Sequence, residues 1–165
     1  MTASSDRQGG TLRTLSAIGG RLGLWLILLL ALFLRFYNIA GQSLWGDEGT
    51  SVALALRDLP AITQGAALDI HPPLYYYLLH FWMMLLGSGE IAVRALSAVA
   101  GVALVGVTYL LGKRLFGKEV ALLAAVFSAL SPLQIQYSQE TRMYLLAALF
   151  SALSVYLLAG WPPRP

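Results

Sequence analysis

Five apolar runs separated by short polar stretches make up most of this chain, and their lengths decide what it can fold into. They are 21–39, containing "LGLWLILLLALFL"; 72–87, "PPLYYYLLHFWMMLLG"; 91–112, "IAVRALSAVAGVALVGVTYLLG"; 120–135, "VALLAAVFSALSPLQI"; and 143–161, "MYLLAALFSALSVYLLAGW". A transmembrane helix needs about 20 predominantly apolar residues. The runs at 91–112 and 143–161 reach that length, and the one at 120–135 does so if it extends from Gly117 to Tyr137. The run at 72–87 is short, carries His80, and is rich in Tyr and Trp, which favour membrane interfaces. Charged residues are only 12% and hydrophobic residues 58% of the chain, against the roughly 25% charged of soluble domains. The expected fold class is therefore all-α, a polytopic membrane protein. A net charge of +3 is too small for a nucleic-acid surface. The absence of cysteine excludes disulfides and thiolate metal sites.

Charge placement predicts the topology. Residues 1–20, "MTASSDRQGGTLRTLSAIGG", read as a flexible cytoplasmic arm, because Arg7, Arg13 and Arg21 precede the first run. Arg35 is expected to snorkel to the interface. A signal peptide is disfavoured because the polar lead is long and "FYNIAGQS" is a poor cleavage site, with Asn38 in the small-residue position. Lys113, Arg114 and Lys118 form the densest basic cluster. They fall on the inner side only if 72–87 lies in the outer interface rather than crossing. The reading is thus about four transmembrane helices, near 21–39, 90–112, 118–137 and 143–161, plus a juxtamembrane interfacial helix. Residues 21–165 form one membrane module, with an outer loop at 40–89.

This topology gathers the chemistry on one face. "SLWGDEGTS" places Asp47 and Glu48 in the outer loop, flanked by Gly46 and Gly49. A helix start, capped by Ser43 or Asp47, would explain two acids there. A general base would explain them too, since partial desolvation at a membrane surface suits a carboxylate to that work. "DIHPPLYYY" adds Asp69 and His71 before two prolines. These fit a helix-entry turn, a donor to an anion, or an incomplete metal site, so no cofactor is expected and a divalent metal is a weak alternative. "YSQETRMY" adds Arg142 and Tyr144, with Arg94 at the outer start of the 91–112 run. Each arginine fits either a snorkelling anchor or an anion clamp. Carboxylates and arginines at one interface suit a lipid-linked phosphate, where the phosphate leaves and one base deprotonates an acceptor hydroxyl.

"LRFYNIAGQSLWGDEGTS", "DIHPPLYYYLLHFW", "RALSAVAGVALVGVTYLLGKRLFG" and "LSPLQIQYSQETRMYLLAALF" occur in that order. Together they resemble the N-terminal part of GT-C glycosyltransferases, in the bacterial RgtA/B/C/D-like branch related to protein mannosyltransferases and the aminoarabinose transferase of lipid A. The resemblance implies an inner-membrane enzyme that takes a sugar from a polyprenyl-phosphate donor to an acceptor hydroxyl on a lipid, glycan or protein. Its active site would face the periplasm or cell exterior. It implies catalytic roles for Asp47, as base, and Glu48, and substrate contacts for His71 and Arg142; Asp69, Tyr144 and Arg94 are further substrate-binding candidates from their position. Gly49, Thr141 and Ala95-Leu96 depart from the family pattern. So does the length, which implies a fragment or a chain whose remaining spans come from a second one. The rival expectation is a non-catalytic membrane partner that binds a lipid carrier or a glycosyltransferase subunit.

Overall fold

A computed structural model describes residues 3–68 and 71–160, with side chains from Gly20 onward. Among the described residues there are eight helices and no strand: α1 (Ala3–Phe36), α2 (Gly46–Ala55), α3 (Leu59–Ala67), α4 (Leu74–Leu86), α5 (Glu90–Phe116), α6 (Lys118–Leu130), α7 (Pro132–Ser138) and α8 (Tyr144–Leu158). The all-helical expectation holds. α1 begins at Ala3, within a stretch free of proline, and runs into the first apolar segment.

Among the described residues α5 alone is long and apolar enough to cross a bilayer. Its ends follow simple rules. Glu90 sits in the first turn and Lys113 and Arg114 in the last, each favourable to the helix dipole. Gly117 then turns the chain at φ 89°, a conformation that costs glycine little, and α6 folds back along α5. Ala121, Ala125 and Ala129, spaced four apart and fully buried, give α6 the flat face that permits this approach.

The expected span at 118–137 is broken. Pro132 has no N–H, so α6 stops at Leu130 and α7 leaves at 56°. This break explains Arg35, which is fully buried rather than snorkelling. Its guanidinium donates to Ser128 O and Ala129 O, both at 3.3 Å, which are carbonyls the broken helix leaves unpaired. Gly101 makes room for it, because a Cβ there would lie 2.7 Å from Arg35 Nε and collide with Ser138 Oγ.

The four-span expectation is met by one helix on length and composition, or by two if the bent α6–α7 pair counts as one span. With 13 and 15 residues, α4 and α8 are short apolar helices. At a rise of about 1.5 Å per residue, α4 extends roughly 20 Å, less than the hydrocarbon core. An interfacial α4 predicts that Thr50→Cys and Glu119→Cys, both exposed positions in a cysteine-free chain, react with impermeant maleimide from opposite sides of the membrane. Labelling from one side would make α4 a span.

Among the described residues two cores lie around α5. One joins α5 to α1 and α6 through Ala31, Val105, Tyr109 and the alanine face. The other joins its N-terminal half to α2, α3, α4 and α8 through Val52, Ile62, Leu79, Val93 and Leu145. The 37–45 loop, the start of α2 and the turn before α8 meet at the first turns of α5.

Candidate active site

The acidic pair diverges because it is helical. Trp45 is extended, with φ −85° and ψ 170°, and α2 starts at Gly46. Asp47 and Glu48 therefore lie in the first turn, pointing about 100° apart. A helix start was one expectation, but the capping residue is Trp45, not Ser43 or Asp47. Glu48 reaches back to accept from Trp45 N at 3.3 Å.

Glu48 is fully buried. Its Oε1 accepts from Arg94 Nε at 2.9 Å and from Thr141 N at 2.7 Å, and its Oε2 also accepts from Arg94 Nη2 at 2.6 Å. Arg94 donates further to Ile39 O and Gln42 O, both at 2.8 Å, and to Ser43 O at 3.3 Å. Every guanidinium N–H is thus used, and each carboxylate oxygen takes two donors. Burial alone would raise the Glu48 carboxyl. The Arg94 hydrogen bonds and charge and the Thr141 and Trp45 N–H groups outweigh it, and hold Glu48 below its ordinary value of 4.5. The pair ties the 37–45 loop, α2, α5 and the turn before α8 to one point.

Asp47 faces the other way, with its side chain 55% exposed. Arg142 Nη2 lies 3.7 Å from Asp47 Oδ2, and Arg142 Nη1 donates to Asp47 O at 3.4 Å. Arg142 does not begin the last helix. It sits in the turn before α8, 7% exposed, and its carbonyl accepts from Ser97 Oγ at 3.1 Å. Its guanidinium lies 5.7 Å from the Tyr144 ring centroid, and Tyr144 packs on Tyr137 at 4.8 Å. These tyrosines meet across the break between α7 and α8.

His71 is half-buried in the turn leading into α4, and Asp69 lies outside the described residues. Pro72 opens an apolar groove of about 190 Å³ between α4 and α8, lined also by Tyr75, Leu78, Met143, Leu146 and Phe150. The His80 Nδ1 hydrogen-bonds Ala55 O at 2.7 Å. Among the described residues no three His, Asp or Glu side chains converge as metal ligands would.

Sequence reasoning missed Ser97, Tyr75 and Thr141 at this site. The Tyr75 hydroxyl, Thr141 Oγ1 and Arg142 Nε are buried without a hydrogen-bond partner. Burial pushes the Tyr75 phenol well above its ordinary range, so it remains an O–H donor. Ser97 was detectable: Arg94, Ser97 and Gly101 are spaced i, i+3, i+7, a polar and small stripe on one face of an apolar helix.

Residues 70–160, more than half of the chain, match the family model for dolichyl-phosphate-mannose-protein mannosyltransferase. The chain belongs to this family. A protein of Aquifex aeolicus (strain VF5), described as uncharacterized, is 27% identical over 140 residues, covering 80% of this chain and 28% of that protein. The chain therefore spans a little over a quarter of the length of the curated relative it matches. No solved structure is a significant match. The matched segment carries Arg94, Thr141, Arg142 and Tyr144, whereas Asp47 and Glu48 precede it. The mannosyltransferase-family resemblance inferred from the motifs and the family match agree, and both support a membrane protein related to glycosyltransferases.

Proposed function

We propose that this chain carries the acidic and phosphate-side half of a sugar-transfer site fed by a polyprenyl-phosphate-linked donor at the outer face of the inner membrane. The observation that carries the reading is the divergence of the acidic pair. Glu48 is consumed by Arg94, while Asp47 stays accessible beside a largely buried arginine. A saturated carboxylate is a poor base and a good anchor, so Glu48 and Arg94 hold the loop and Asp47 does the chemistry. The acceptor hydroxyl gives its proton to Asp47 as its oxygen bonds to the anomeric carbon. The bond from that carbon to the phosphate oxygen breaks, and the polyprenyl phosphate leaves with the electron pair. Arg142 stabilises the departing charge, with His71 and Tyr144 as further contacts. The apolar groove beside Arg142 suits the start of a lipid tail.

The test is transfer in membranes from cells with and without the gene, using a panel of radiolabelled undecaprenyl-phosphate hexoses and pentoses. Loss of incorporation from one donor on deletion is the expected result. Equal incorporation across the panel would leave the chain a non-catalytic membrane partner.

A further inference from the structure

Beside the buried Glu48–Arg94 pair there is a polar cavity of about 310 Å³. Asn38, Gln42, Trp45, Gln136 and Glu140 line it, and the Glu48–Arg94 pair forms part of its wall. We propose that this cavity holds a neutral sugar ring, a reading that rests on the sugar-transfer function above and names the part of the substrate it takes.

Charge selects the ligand class. Arg94 is the cation in the wall, and its N–H groups are all committed to Glu48 and to loop carbonyls. Glu140 adds a carboxylate that accepts a long hydrogen bond from Gln136 Nε2, at 3.5 Å. A free phosphate or carboxylate would meet no available donor cation here and one repelling acid. Among the described groups the Asn38 and Gln42 side-chain amides have no hydrogen-bond partner. An amide donates and accepts at once, as does a sugar hydroxyl, so a row of amides satisfies adjacent hydroxyls without a net charge. Trp45, 49% exposed at the helix start, offers an indole face to the apolar side of a sugar ring. The volume is at the lower end for small-molecule sites, which suits one ring better than a chain of them.

The walls are held in place by the same contacts that build the site. Gln139 Nε2 donates to Leu34 O, Arg35 O and Tyr37 O at 3.3, 3.4 and 2.9 Å, closing the end of α1 onto the α7 turn. Arg94 fixes the carbonyls of Ile39 and Gln42 on the opposite side. The cavity is therefore formed before a ligand arrives.

The test is saturation-transfer NMR on the full chain in lipid nanodiscs. One probe set is methyl glycosides of glucose, galactose, mannose and arabinose; the other is the same sugars on a water-soluble citronellyl phosphate. Saturation of at least one sugar ring is expected, with binding weakened at least fivefold by Gln42→Ala and by Gln136→Ala. Response to the glycosides assigns the cavity to the acceptor's sugar, and response only to the citronellyl phosphates assigns it to the donor's. No response from either set, or binding that both substitutions leave unchanged, overturns the proposal. If transfer in membranes depends on the gene while the cavity binds no sugar, the cavity assignment alone falls. If sugars bind and transfer does not depend on the gene, the transfer reading falls.

Discussion

Asp47→Asn lowers sugar transfer by about 10²–10⁴-fold, the range removed with a general base, while the folded chain keeps its stability. Asparagine keeps the size of aspartate and an acceptor for Arg142, so it removes the proton-accepting function and little else. The side chain is 55% exposed, and its ion pair is with Arg142. A change there is expected to alter unfolding by only about 0.5 kcal/mol. The measurement is initial transfer rate against donor concentration in membranes containing the variant. The loss appears in the maximal rate, with the donor concentration for half-maximal rate little changed, because the phosphate is held by other groups. Near-normal transfer by Asp47→Asn would remove Asp47 as the base.

Glu48→Gln gives the complementary result, a loss of stability. Removing one partner of a buried, hydrogen-bonded ion pair costs about 3–5 kcal/mol, because the other charge is left uncompensated. Arg94→Met should cost a similar amount, and the double variant much less than the sum, since the orphaned charge is then absent. Denaturant unfolding in detergent measures all three. Additive losses would show that the pair is not a coupled unit. The pH dependence has a definite sign. Glu48 in the folded chain lies below its ordinary value of 4.5, so its contribution is complete above that value. It is lost as the pH falls below about 4.5 and through the lower folded value. Wild-type stability should therefore drop in that window, and Glu48→Gln should flatten the drop. Transfer by Glu48→Gln should fall as well, because Thr141 and the turn carrying Arg142 lose their anchor. The two neighbouring acids are thus separated by experiment: one substitution removes activity alone, the other removes stability and activity together.

The sequence by itself determined the helical class and the family. An apolar run of about 20 residues satisfies its backbone polar groups within itself by forming a helix, and barrel strands are about half that length, so composition and run length were enough. The motifs' order along the chain carried the family because it does not depend on how they meet. Helix ends were only partly legible. Pro132 marked a break, yet nothing local showed that Arg35, 93 residues before Ser128, would turn inward to satisfy the carbonyls it exposes. The same limit applied to Arg94, where an anchor and an anion clamp read alike in sequence. Tertiary structure decided between them, because five donors can be counted only once the 37–45 loop and Glu48 are in place. It also divided the acidic pair. Adjacent residues on one helical turn must point apart, so once α2 began at Gly46 one carboxylate had to enter the core and the other remain outside. Which of them went in was decided by the position of Arg94, 46 residues further along the chain.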